Sequence, residues 1–81
     1  MNIYVISQSQ NTNYETYDAC VVIAESETEA AKWHPATDST DWSAPHYMRS
    51  WCDSPEDVTV ELVGQSHSEV AGFVLKSYNA G

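Results

Sequence analysis

Cys20-Val21-Val22-Ile23-Ala24 is apolar at every successive position. Side chains along a strand alternate between its two faces, so such a run must be covered on both. It is far too short to cross a bilayer, which takes about 20 residues, so the cover has to be protein. The chain has 81 residues, which reads as one domain, 1–81, with a thin core.

The rest of the sequence can be arranged around that run. Ile3 to Ser7 is rich in strand formers and reads as an opening strand. Gln8 to Thr16 is polar and reads as a loop, and Asp18 to Ala24 as the second strand. Ser26 and Glu29 have the spacing of a capping box, and Glu27 and Glu29 suit the positive end of a helix dipole. Pro35 ends that helix at or before His34, leaving about two turns. Ala30 and Trp33 lie three apart and are expected to face the sheet together. Ala36 to Ser50 shows no periodicity, but Trp42, Tyr47 and Met48 mark it as a packed loop. Ser54 and Pro55 open a turn that carries through Asp57. Val58 to Val63 alternates cleanly as a strand, with Val58, Val60 and Leu62 on one face. Gly72 to Tyr78 closes as another, with Phe73 and Leu75 opposite Val74 and Lys76.

The expected fold is therefore α+β: a four-stranded, mainly antiparallel sheet with one short helix, in the order β-β-α-loop-β-β. One helix of two turns cannot cover both faces of such a sheet. Either the loop from Trp42 to Trp51 folds across the second face or another subunit does. A homo-oligomer is the expectation, a two-fold dimer being the commonest closed form.

Twelve Asp and Glu stand against three basic residues, Lys32, Arg49 and Lys76, for a net charge of −9. That balance argues against direct binding of nucleic acid, which rests on neutralised phosphates, and against anionic membranes. It suits solubility, or an acidic face that docks on a basic partner. No basic-then-apolar stretch opens the sequence, so a cytoplasmic protein with free thiols at Cys20 and Cys52 is expected.

Catalytic and metal motifs are sparse. Cys20, Cys52, His34, His46 and His67 show neither C-x-x-C nor H-x-x-x-H spacing, so no metal is expected. Cys52 and His46 could form a nucleophile and base only if folding brought them within hydrogen-bond reach. The carboxylates at Glu27 and Glu29 are accounted for by the helix start. Three scattered glycines cannot build a phosphate loop, and no cofactor is expected. What remains are aromatic and polar clusters: Tyr14, Tyr17 and Asp18; Arg49 and Trp51; Lys76, Tyr78 and Asn79. Such aromatics either form the core of a small domain or stack a base while Arg49 and Lys76 meet a phosphate.

The blocks Tyr14-Glu15-Thr16-Tyr17-Asp18, Glu25-Ser26-Glu27-Thr28-Glu29-Ala30 and His34-Pro35, with the ending Ser77-Tyr78-Asn79-Ala80-Gly81, resemble a small uncharacterised family of phage and bacterial proteins. That family has a Tyr-Asp-Thr-Tyr-Asp block and a Ser-Phe-Asn-Ala-Gly end; here Glu15 replaces the first Asp, and Tyr78 the Phe. The likeness extends along most of the chain except Ala36 to Ser50. It implies a phage or prophage setting, in the host cytosol, and no particular activity.

The expected function is thus a non-enzymatic binding protein that counters host defence. One form would sequester a nucleotide immune signal in a pocket between subunits, lined by Tyr14, Tyr17, Asp18, Arg49, Trp51, Lys76, Tyr78 and Asn79. The alternatives are an acidic inhibitor that covers a basic host protein as a nucleic-acid mimic would, and a small Cys/His enzyme.

Overall fold

The computed structural model describes residues 1–12, 15–43 and 50–79. Four strands form one antiparallel sheet: β1 (Asn2–Ser7), β2 (Thr16–Ala24), β3 (Thr59–Gln65) and β4 (Gly72–Asn79), in the spatial order β3-β1-β2-β4. Among the described residues a single α-helix, α1 (Glu27–Ala31), follows β2, and a 3-10 turn at Pro55–Asp57 precedes β3. This is the α+β fold and element order expected from the sequence.

The apolar run occupies the middle of the sheet. Val21 lies opposite Val5 of β1 on one side and Leu75 of β4 on the other. Central strands have both backbone edges paired, which is where a strand apolar on both faces gains most. The helix starts as its cap residue dictates: the Glu29 N–H donates to Ser26 Oγ at 3.2 Å. Only half of the capping box forms, because the Glu29 carboxylate turns to Lys32 Nζ at 3.2 Å. Lys32 is the C-cap, so the helix stops well before Pro35.

One face of the sheet carries the core. Tyr4, Ile6, Cys20, Val22 and Ala24 are buried there with Ala30, Trp51 and Cys52, and Trp33, Trp42, Val58, Val60 and Phe73 pack around them. Trp33 is partly buried and meets Phe73 edge-on, centroids 5.6 Å apart. Trp42 and Trp51 thus lie on the helix side. The two ends of the loop join the helix in one covering layer; 44–49 lie outside the described residues.

Two extra residues change which side chains share a face. The β2–β4 register shifts between Val21 and Val22, where Leu75 and Phe73 are the respective partners and Val74 is left over. Alternation from Gly72 to Tyr78 would put Phe73 and Leu75 together, but the bulge at Val74 separates them. Phe73 joins the core, whereas Leu75 is 64% exposed on the other face. A second shift, between Tyr17 and Ala19, carries Tyr17 to the core side. A bulge adds one residue to a period of two, so every side chain beyond it changes face. β3 shifts against β1 as well, and Leu62 stays 55% exposed at that sheet edge.

Candidate functional site

The residues singled out as a ligand site fall into three situations. Tyr17 and Tyr78 are cross-strand partners whose rings meet at 4.9 Å, tilted by 58°. Tyr78 is 48% exposed, so the pair has one open flank at the end of β2 and β4. Asp18, at the neighbouring bulge, is exposed. Asn79 is the last residue of β4, opposite Thr16. Tyr14 and Arg49 lie outside the described residues.

Trp51 and Lys76 are committed elsewhere. Trp51 is 2% exposed, which leaves no ring face for a base to stack on. Among the described residues its Nε1–H has no acceptor. The segment around it is anchored by polar contacts from the first loop. The Asp53 N–H donates to Gln10 Oε1 at 2.8 Å. Gln8 Nε2 donates to the Asn11 and Tyr17 carbonyls, and Asn11 Nδ2 reaches the Trp51 carbonyl at 3.4 Å. Lys76 Nζ donates to the Pro35 carbonyl at 3.0 Å and pairs with Asp38 Oδ1 at 3.0 Å, while lying 4.9 Å from the Phe73 ring centre. It binds the loop after the helix to the edge strand. Lys32 is likewise held by Glu29.

Burial holds both thiols in their neutral form. Cys20 and Cys52 are free and buried. Burial pushes Cys20 up to about 11, against the pull of Lys76, and does the same to Cys52, where Asp57 and Asp53 add to it. Both are therefore protonated at neutral pH, and the thiolate is the reactive form. His34 is buried under the edge of the Trp42 ring, centroids 4.8 Å apart, and its Nδ1 accepts the Ala36 N–H at 3.1 Å. Burial lowers its pKa. No group of three or more His, Cys, Asp or Glu placed to hold a metal occurs among the described residues. No helix among them is long and apolar enough to cross a membrane.

The feature that the sequence contained but did not place is the second face of the sheet. Strand pairing sets three rows across it: Thr59, Ser7, Ala19, Ser77; Glu61, Val5, Val21, Leu75; and Gly64, Ile3, Ile23, Gly72. Neither the helix nor the described ends of the loop pack on these rows, and a shallow depression of about 100 Å³ lies between Val5, Val21 and Leu75. Within the rows there is one charge, Glu61 on an edge strand, and no cation.

No family model matches the chain, and no curated protein or solved structure does. The carboxylates are distributed as unevenly as the apolar residues. Glu25, Glu27 and Glu29 flank or belong to the helix, Asp38 and Asp41 lie in the loop after it, and Asp53, Glu56 and Asp57 surround the 3-10 turn. The helix and the loop ends among these segments cover the core face, and the other carboxylates are Glu15, Asp18, Glu61 and Glu69. Eight of the twelve carboxylates thus sit on or beside the helix, in the loop after it and around the 3-10 turn, whereas the rows of the second face hold one charge, Glu61.

Proposed function

We propose that this is a non-enzymatic protein that works by occupancy, setting its acidic helix-and-loop layer against a basic surface of a partner protein. The observation that carries the reading is the state of the described cations. Lys32 is held by Glu29 and Lys76 by Asp38, so the charge left to face a partner on that layer is negative. Complementary fields of this kind raise association rates and select partners by sign. Protonated, buried thiols at Cys20 and Cys52 favour binding over Cys catalysis. Free thiols also suit a reducing cytosol. In the phage setting implied by the resemblance, the partner would be a host protein, and nucleic-acid-binding proteins offer the required basic surface. The Tyr17–Tyr78 pair is the one element that still favours a stacked small ligand, but Lys76 is already engaged within the chain.

Capture of host proteins on the immobilised chain tests the proposal, at 50 and at 500 mM salt. A basic nucleic-acid-binding protein should be retained at low salt, be released at high salt and be displaced by added duplex DNA. The triple change Glu25→Lys, Asp41→Lys, Glu56→Lys should abolish retention. Retention indifferent to salt and to those substitutions would overturn the reading.

A further inference from the structure

We infer that the open face of the sheet is a self-association surface, on which a second copy of this chain packs sheet to sheet. The face carries Ile3, Val5, Val21, Ile23 and Leu75 in adjoining rows. Leu75 is 64% exposed, and Ile3, Val5, Val21 and Ile23 are partly exposed. Contiguous apolar surface of this kind marks an interaction site, and three observations choose the occupant.

The first is charge. A foreign partner selected electrostatically would be drawn to the acidic layer, because the open rows hold Glu61 and no cation. What such a face complements is another apolar face, and a two-fold contact supplies one from the same sequence.

The second is the geometry of repulsion. Two chains of net charge −9 should resist pairing, but the carboxylates of the covering layers lie on the far side of each sheet. Packed sheets sit about 10 Å apart, and each covering layer adds about as much again. The two acidic layers are then about 30 Å apart, nearly four Debye lengths at physiological salt, where one is about 8 Å. Glu61 lies on edge strand β3, at the rim, where water can still reach it.

The third is area. Four strands spaced about 4.8 Å apart, with three rows about 6.8 Å apart, give a plan area near 400 Å² per copy. Pleat and side chains enlarge it, so a pair buries on the order of 1,000 Å² in total, the lower bound for a specific interface. Dissociation in the micromolar range is the corresponding expectation. The pairing also gives β2 the second cover that its sequence demands.

Sedimentation equilibrium on the purified chain tests this without reference to any host partner. At 200 μM the wild type should give twice the 9.0 kDa chain mass, and it should dissociate below the micromolar range. Leu75→Glu, on an exposed edge-strand position, should shift the midpoint to at least tenfold higher concentration while leaving the circular dichroism spectrum unchanged. Val21→Thr, a milder change that keeps a strand former at the centre of the face, should shift it in the same direction. Val70→Glu, more exposed still but outside the rows, should leave it in place. A 9.0 kDa particle at 200 μM would overturn the inference and leave the face to a different protein. A dimer unaffected by both Leu75→Glu and Val21→Thr would also overturn it, since the copies would then meet elsewhere, along the sheet edges for example.

Discussion

His34 shows how burial gives one side chain a measurable signature. The imidazole is enclosed beneath Trp42, and its Nδ1 accepts the Ala36 N–H. Adding a proton costs the solvation of the new charge and also removes that acceptor, so the folded-state pKa falls below the ordinary value. The unfolded chain then binds the proton more readily than the folded one. The stability that depends on neutral His34 is therefore complete above about pH 6.5 and is lost as pH falls from there toward the folded-state value. Melting temperatures between pH 7.5 and 5.5 should decline for the wild type and decline less for His34→Asn, whose amide oxygen can still accept from Ala36. Equal slopes would place the titrating group elsewhere. Lys76 illustrates the opposite case, a charge kept but spent, since the Pro35 carbonyl, Asp38 and the Phe73 face take it up together.

At the scale of elements, short-range sequence signals placed the helix start and the strands, but the helix ends at the Lys32 cap, short of the two turns expected up to His34. Ser26 is an N-cap because its hydroxyl can reach an amide three residues on, and that contact forms. Ser26→Ala should lower unfolding free energy by about 1 kcal/mol, read from urea denaturation, and Ser26→Asp should retain the wild-type value. A neutral Ser26→Ala would mean that packing of Ala30 alone holds the five-residue helix. Strand positions were equally legible, since alternation and β-branched content are local. Facing was not: Phe73 and Leu75 look equivalent by parity, and only the leftover Val74 sends them to opposite sides. Tyr17 enters the core for the same reason, through the bulge at Asp18. A bulge is chosen by fit between two strands, and no residue type within either strand announces it.

For the molecule as a whole, the governing quantity is a net charge of −9 on an α+β frame whose principal extents are 34 × 24 × 18 Å. Carboxylates crowded into one layer repel one another, and the described cations offset only Glu29 and Asp38. Mobile ions screen such repulsion. Raising sodium chloride from 20 to 500 mM should accordingly raise the melting temperature by several degrees, at a protein concentration low enough to keep the chain monomeric. A melting temperature that falls with salt would mean that the two ion pairs outweigh the repulsion.

By itself the sequence determined the number and order of the strands, the helix start at Ser26 and the need for cover on both sides of Cys20–Ala24. Each follows from interactions within a few residues: alternation, capping, and apolar content per face. It also contained the candidate aromatics and cations, without saying which would remain available. Tertiary structure alone decided that Trp51 is enclosed, that Lys76 is held by residues some forty positions away, and that the helix and the described loop ends share one face. Those outcomes depend on which distant segments meet. Register and bulges set that by the fit of whole strands, so one extra residue at Val74 is enough to turn Leu75 outward and leave the face apolar and open.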